Sequence, residues 1–537
     1  MAVVQISRIQ HRRGKKNTGT GIPQLASGEL GWAVDAQELY IGNGAVSEGA
    51  PSVGNTRVLT EKDDILELAG QYAYKRDSNF LTGVDSSSPV ERTIQSKLDD
   101  IVDVRDFGAT GDGSDQTEKL QRAIDQLFIN SATKGIYSSR VELRIPAGEY
   151  KLTSPLYIPP FANIAGDGKG KTYFIAEGEH AFRTVNETST PGSYADDSTT
   201  DALNQARQIT LKNFTVLHTS YGGTMRLESC VDSLFENIEF LGQWNTGDGI
   251  ANDYTAVKLN AQTAAVTSSS NTFLNCDFYG FVNAVFSDYD ISYNRFVNGK
   301  IDVCAQGFVL GTDTDIGGTI PGKATGPMNN IIENYNFLNI DRQGIIIDHG
   351  RYNRSMNNTF IAVGNDGGNS SSATHSIIRF GDRSNTSVND YFERTADLTV
   401  NPAFGFINYP PEVEGPKDYN NNFEVSTALG DIISEELVML LPADQTKGIV
   451  QVNYRYFAPL SVTDDVVRDG QLTVVFDRST TKISLNDEYT TIGDPTRAEG
   501  LEFTAYLVSD KIEIKAVNTT MDGGTGDEFI FTLRHIA

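Results

Sequence analysis

Between Ser270 and Asp382 the chain repeats one short phrase four times. An Asn stands one to three residues before a Phe, at Asn275/Phe278, Asn294/Phe296, Asn334/Phe337 and Asn358/Phe360. A short apolar run follows and closes on an Asp, at Asp288, Asp313, Asp348 and Asp382. Weaker copies begin earlier, at Ile209–Val216 and Leu234–Phe240. The closing Asp residues lie 25, 35 and 34 positions apart. A drifting period of that size marks a solenoid whose extra residues go into loops. The apolar runs are three to six residues long, rich in Val, Ile, Phe and Thr, and broken by Gly, Asn and Asp. No stretch of them keeps a 3.6-residue period, so they read as strands and turns. One strand set per coil predicts an all-β chain built on a right-handed parallel β-helix. A single coil cannot bury its apolar side alone, and stacking supplies the core. Coils about 4.8 Å apart would bring the Asn and Phe residues into ladders. A β-sandwich would not repeat such a pattern of side chains.

Charge narrows the partners. Forty-four Lys and Arg against seventy Asp and Glu leave a net charge of −26. That excludes a general nucleic-acid binder, whose affinity comes from neutralising phosphates, and a protein docked on anionic lipid. An acidic polysaccharide would have to be held by local Lys or Arg. No apolar run reaches membrane-spanning length, and the opening MAVVQISRIQHRRGKK lacks a signal-peptide core. Synthesis in a cytoplasm, without membrane insertion, is the expectation. Cys230, Cys276 and Cys304 form no close pair or zinc spacing. Cys276 and Cys304 read as small interior residues.

Residues 1–60 form their own module of short strands and glycine turns, too small to hold much core. It carries QHRRG at Gln10–Gly14, PQLASGELGW at Pro23–Trp32 and DAQELYIGNG at Asp35–Gly44. The set Arg12–Gly14, Gly28–Gly31, Asp35 and Leu39–Gly44 resembles the N-terminal module of phage tail fibres and tailspikes, with Asn43 where an Asp is usual. The resemblance implies a virion-attachment module contacting tail or baseplate proteins. Arg12, Arg13, Gly14, Glu29 and Asp35 are its candidate contact residues, although a basic turn such as Arg12–Arg13 can also be simply solvated.

Residues 61–100 read as a neck. Glu61–Asp77 can form an amphipathic helix and Val90–Gly108 contains a second short helical pattern. Such helices could bundle in a trimer; alone they would be marginal.

The most specific stretch follows, VDVRDFGATGDGSDQTEKLQRAIDQL at Val102–Leu127. A strand enters a Gly/Asp turn and a helix starts, capped by Asp115 or Thr117, with Leu120, Ala123, Ile124 and Leu127 on its buried face. Then come VELRIPAGEY at Val141–Tyr150 and LYIPPFANIAGDG at Leu156–Gly168. Together these resemble the entrance of pectate-lyase-like β-helix domains, particularly those of phage tailspikes. The family holds lyases, hydrolases and inactive proteins, so the likeness speaks for fold and not for chemistry. Neither Gly111–Gly113 nor Gly166–Gly170 sits in a phosphate-loop or dinucleotide frame. The helix would cap the first coil and cover its edge.

The β-helix is expected over residues 101–430, with about a dozen coils at roughly 24 residues each. Two polar loops interrupt it, Glu187–Ala202 and Thr312–Pro327. From residue 431 to 537 alternating strands predict an antiparallel, sandwich-like β domain at the tip.

If the chain cuts a glycan by hydrolysis, two carboxylates about 5 to 9.5 Å apart are required. Stacked coils offer about 5 or 10 Å. Asp288, Asp313, Asp348 and Asp382 are therefore the candidate catalytic ladder. Each could equally cap the turn that ends its strand. Glu333, Asp341 and Asp366 are outside candidates. Trp244, Tyr279, Tyr289 and Tyr293 could stack on sugar rings or serve packing. His349, beside Asp348, could assist acid–base work. A lyase would need a Lys or Arg base and a bound Ca²⁺, for which no tight acidic cluster beyond Asp313/Asp315 is seen. No cofactor and no metal site are predicted.

The two resemblances imply a homotrimeric phage tail protein, carried on the virion and contacting host cell-surface polysaccharide. Two classes stay open: a depolymerising tailspike, or a non-catalytic tail component that uses the rod as scaffold or receptor binder.

Overall fold

The computed structural model describes residues 11–60 with short gaps, 72–73, most of 91–129, and 141–364 apart from several loops. It further describes 377–394, 407–408, 419–429 and most of 435–536. Contacts divide the chain into two units, Met1–Asp100 and Ile101–Ala537.

In the first unit a four-stranded sheet runs in the order Arg12–Gly14, Leu30–Ala33, Glu38–Gly42, Asn55–Val58. The first pair is parallel and the other two are antiparallel. Its core is as small as the composition demands, with Leu25, Ala33 and Tyr40 at its centre. Gly42 is required by close approach, because a Cβ there would stand 2.1 Å from the Ala26 carbonyl oxygen. A short helix, Ile94–Leu98, forms within the expected second helical pattern. The first neck pattern falls mostly on residues 61–71 and 74–77, outside the described residues.

The second unit is a parallel β-helix that passes into an antiparallel sheet. At its entrance the helix Thr117–Ile124 buries Leu120, Ala123 and Ile124. Asp115 holds the start, its Oδ1 accepting from the Thr117 N–H at 3.0 Å and from the Thr117 hydroxyl at 2.6 Å. Long strands then stack in parallel, among them Thr210–His218, Leu234–Leu241, Thr272–Tyr279, Arg295–Cys304 and Ile331–Ile340. A second parallel sheet has nine strands, from Leu156–Ile158 to Ile407–Asn408. Among the described residues the long-strand sheet stacks eleven parallel rungs, from Ile101–Asp103 to Tyr419–Leu429, close to the expected dozen. Short bridges Arg207–Val231–Ser269 and Ser292–Met328–Arg351 make a third ladder.

Register explains the repeated phrase. Phe240, Phe278, Ile301, Phe337, Phe360 and Phe392 occupy one interior column. Phe337 and Phe360 stack with centroids 4.4 Å apart, and Phe360 and Phe392 at 4.9 Å. Such pairs contribute about 0.5–1.5 kcal/mol beyond their buried area. Three of the four Asn residues take one of two roles, and the fourth, Asn358, accepts the Tyr335 N–H and donates its own N–H to Asp390. Asn275 and Asn334 adopt left-handed φ values of 55° and 56°, bending the long strand at a position Asn tolerates well. Asn294 belongs to a buried ladder with Asn271, Asn330, Asn353 and Asn385. Each of the first four donates its backbone N–H to the next Oδ1 at 3.0–3.1 Å and its side-chain amide to the same oxygen at 2.9–3.0 Å. The ladder satisfies a turn that is otherwise out of reach of water.

The three cysteines are buried, and burial pushes each thiol up to about 12. Beyond the last coil, Tyr419–Leu429 pairs in parallel with Thr386–Arg394 on one side and antiparallel with Asp527–Ile536 on the other. The antiparallel strands thus continue the β-helix sheet, and one hydrophobic core runs from Val104 through Phe392 to Ala516. In this part Arg468 is buried, donating to the Tyr454 hydroxyl at 2.7 Å and to the Leu501 carbonyl at 2.6 Å, and pairing with Asp487.

Candidate functional site: the outward rows of the coils

Asp288 and Asp313 lie outside the described residues, as do Asp315, Asp366 and Tyr289. Asp348 and Asp382 are described, and both are already engaged. Arg379, on the next coil, grips Asp348 with Nε to Oδ1 at 2.6 Å and Nη2 to Oδ2 at 2.5 Å. Asp382 Oδ1 accepts the Ser384 N–H at 2.8 Å and its hydroxyl at 2.6 Å, and Arg351 stands 3.5 Å from Oδ2. The first is a bidentate ion pair and the second a turn cap. Glu333 faces Arg295 at 3.6 Å. Trp244 is only 1% exposed and belongs to the core, so it offers no sugar platform. Tyr279 and Tyr293 are exposed at 43% and 61%.

In the first unit, Arg12, Arg13 and Gly14 form an exposed strand. Arg12 lies 3.6 Å from Glu29. Glu29 Oε2 also accepts the Ala26 N–H at 2.8 Å, and Asp35 accepts the Lys16 and Asn17 N–H groups at 2.8 and 2.9 Å. Those backbone donors hold the Asp35 carboxyl below its ordinary range. Glu29 and Asp35 thus shape their turns, while Arg12 and Arg13 face outward.

Two outward rows of the β-helix concentrate chemistry that sequence spacing concealed. On the long-strand sheet, Thr215, Glu239, Asp277 and Lys300 occupy one column on consecutive strands. Glu239 accepts the Thr215 hydroxyl at 2.8 Å. Asp277 Oδ2 receives Lys169 Nζ at 2.7 Å, and its Oδ1 takes the Lys300 N–H at 3.0 Å. Lys300 Nζ in turn lies 2.8 Å from Asp302. Two carboxylates on neighbouring strands would repel; the Lys169 charge offsets this and ties a distant turn to the sheet.

On the nine-stranded sheet, Tyr157, Arg183, Arg226, Lys258 and Phe286 fall in one column. Glu228, 3% exposed, sits beside it, paired with Arg226 and 3.7 Å from Arg183 Nε. His180, 7% exposed, meets the Gly223 carbonyl through Nδ1 at 3.1 Å. Burial is the main cause of its lowered pKa. Tyr157 stacks on Tyr194, from the loop at residues 187–202, with centroids 4.1 Å apart. An open hollow of about 510 Å³ lies there, lined by Gln121, Arg122, Asp125, Pro155, Tyr157 and Tyr194 among others.

Residues 101–317 match the family model of rhamnogalacturonase A/epimerase, pectate lyase-like. The match begins at the strand before the Gly/Asp turn and covers the entrance and most of the coils. A stretch of 79 residues is 39% identical to a phage-related protein, YobO, of Bacillus subtilis (strain 168). That stretch is 15% of this chain and 8% of the relative. The chain path is also similar to Geobacillus virus E2 ORF18, with 14% identity, 91% of this chain and 88% of that chain covered, and a TM-score of 0.30. It is similar to the tailspike protein of Acinetobacter baumannii phage AM24 at 11% identity, 93% and 91% coverage and a TM-score of 0.27. Tailspike protein 3 of bacteriophage CBA120 gives 13% identity, 71% and 65% coverage and a TM-score of 0.37. Scores this low establish no shared detail; the β-helix is read from this chain's own strand register.

Proposed function

We propose that this chain is a bacteriophage tail protein of the tailspike or short-fibre kind, which contacts a host surface polysaccharide through the outward rows of its β-helix. The observation that carries the reading is the geometry of those rows. A rigid stack presents one side chain per coil every ~4.8 Å, so a linear polymer can be met repeatedly along one face. Charged and aromatic side chains are aligned on such faces here, in the columns through Asp277 and through Arg226. The stretch shared with a phage-related protein and the pectate lyase-like match support the same reading.

The N-terminal module is the proposed attachment point, with Arg12 and Arg13 facing the virion and Glu29 and Asp35 holding the turns that present them. Assembly as a homotrimer and residence on the virion tail, after synthesis in the host cytoplasm, belong to the same proposal.

Binding without cleavage is favoured at the Asp348–Asp382 end, because both carboxylates are spent on Arg379 and on a turn. Glu239 and Asp277 are the alternative pair for hydrolysis, since neighbouring coils set carboxylates near the spacing of about 5 Å used by retaining glycosidases; Asp277 is ion-paired with Lys169, so a substrate would have to displace that contact, while Glu239 bonds the neutral Thr215 hydroxyl. The test is to incubate the purified protein with capsule and lipopolysaccharide from candidate hosts, measuring retention of polymer and release of reducing ends. Retention without release supports a binder. Release that disappears in Glu239→Gln establishes hydrolysis at that pair. Neither retention nor release, with any strain the parent phage infects, refutes the proposed function.

A further inference from the structure

The sheet of the first unit keeps one edge open. Among the described residues its outer strand, Arg12–Gly14, pairs only with Leu30–Ala33, and all three of its residues are exposed. Exposure at Gly14, which has no side chain, is exposure of the main chain. The Gly14 carbonyl accepts the Val34 N–H at 2.9 Å. Strand alternation then turns the Arg13 N–H and C=O away from Leu30–Ala33, toward the open side. A Cβ added at Gly14 would meet nothing within 4 Å. The two faces of the edge differ. Arg13 shares a face with Trp32, whereas Arg12 and Gly14 share the other with Gly31, against which Leu25 packs.

The sequence at this edge is opposite in charge to the chain. Glu29 is the first acidic residue, and the 28 residues before it hold five cations, Arg8, Arg12, Arg13, Lys15 and Lys16, in a chain of net charge −26. Lys16 is spent on Glu38, and Arg12 stands near Glu29. Arg13 engages no carboxylate among the described residues. Cations on a short edge strand guard it against pairing with a second copy, because like charges repel. The same cations favour a strand of opposite charge, so the guard also selects. A hollow of about 50 Å³ adjoins the strand, lined by Ile22, Pro23, Leu25 and Tyr40 together with Arg12 and Lys15, among others. That is the space of about four waters, or of one branched aliphatic side chain.

We infer that this edge takes up an extended acidic segment of a neighbouring virion protein, which adds as a further strand beside Arg12–Gly14, with carboxylates alternating onto the Arg13 face and an aliphatic side chain in the hollow on the other. Main-chain pairing supplies affinity in such strand addition, and the side chains supply selection. Guanidinium suits the task because its planar fork matches a carboxylate bidentately. The inference rests on the proposed attachment of this module to the virion and names the chemistry of its partner.

The test is binding of an end-capped hexapeptide of alternating Glu and Val to the full chain, followed by Trp32 emission. Trp244, the other tryptophan, is buried in the β-helix. The matching Lys/Val peptide and dextran sulfate are the comparison probes. Arg13→Gln removes the charge, and Arg13→Pro removes the charge and the outward N–H at a kind of edge that tolerates proline. Arg57→Gln removes a charge on the opposite edge strand, Asn55–Val58. Unliganded Trp32 emission equal to wild type shows that each variant keeps its sheet, and Arg13→Gln carries the charge test if proline disturbs it. Wild type should bind the Glu/Val peptide and not the Lys/Val one, less tightly as salt rises. Arg13→Gln should weaken binding about threefold and Arg13→Pro about tenfold or more, whereas Arg57→Gln should change it less than about twofold. The inference is overturned by equal binding of the Lys/Val peptide or of dextran sulfate, by equal losses in Arg13→Gln and Arg13→Pro, or by no binding of the Glu/Val peptide at millimolar concentration. Joining of added protein to phage particles that lack it separates the two levels. If wild type and Arg13→Pro join alike, the edge is refuted and the attachment reading stands. If no form joins, the attachment reading fails as well.

Discussion

Asp390 offers a quantitative test of the β-helix interior. It is 1% exposed, and its carboxylate accepts the Ser355 hydroxyl at 2.5 Å, the Ser387 hydroxyl at 2.6 Å and the Asn358 N–H at 2.8 Å. Those bonds favour the charged form, yet burial outweighs them and raises the carboxyl to about 6. The unfolded value is about 3.9. A difference of about two units corresponds to about 3 kcal/mol. The sign follows from proton counting. Between about pH 4 and 6 the folded chain holds a proton that the unfolded chain has lost, so stability falls as pH rises through this window. Above pH 6 the full cost of a buried charge is present; below pH 4 it is absent. Asp390→Asn removes the charge and keeps the shape. Its oxygen can still accept from Asn358, and its amide can donate to the two serine hydroxyls. The variant should gain about 2–3 kcal/mol at pH 7.5 and less than about 1 kcal/mol at pH 4. Guanidinium unfolding of both proteins at pH 4, 5.5 and 7.5 measures the difference, through unfolding rates if refolding is incomplete. An equal gain at all three pH values, or a loss at pH 7.5, refutes the reasoning.

Other perturbations follow from the same contacts. Asn294→Ala strips the Oδ1 that receives two donors from Asn271 and the amide that meets the Ser268 carbonyl and Asn330. With buried groups orphaned at about 1–3 kcal/mol each, it should cost about 3–5 kcal/mol in denaturant unfolding. Asp348→Asn breaks a half-exposed bidentate pair and should cost only about 1 kcal/mol, with polysaccharide retention unchanged. In native protein at pH 8 the three thiols should resist a thiol-reactive dye, and all three should react once the chain is unfolded in guanidinium.

The column of Phe278, Phe337 and Phe360 was legible because strand alternation makes interior positions recur within each coil, whereas Phe296 falls in a neighbouring column with Phe273. The entrance helix and its Asp115 cap were legible for the same local reason. The Asn residues looked alike in sequence, but one ladder is interior and another sits at left-handed bends. The difference depends on a shift of one or two residues in register that the variable loops hide. Asp348 and Asp382 follow strands that end at Ile347 and Phe380, while the partner of Asp348 is Arg379, a coil away. Arg183, Arg226 and Lys258 are 43 and 32 residues apart, and Glu228 gives no local sign of burial. Only the stacking register brings them together. The antiparallel C-terminal strands were visible from alternation, but their continuity with the β-helix sheet depends on Tyr419–Leu429 pairing on both edges.

The most direct test of the central claim is binding of purified protein, immobilised by its N-terminus, to surface polysaccharide extracted from strains that the parent phage infects and from strains it does not. The account predicts saturable binding to the first set and none to the second, with infection blocked when free protein is added in excess. Absence of binding to polysaccharide from every infected strain would contradict it.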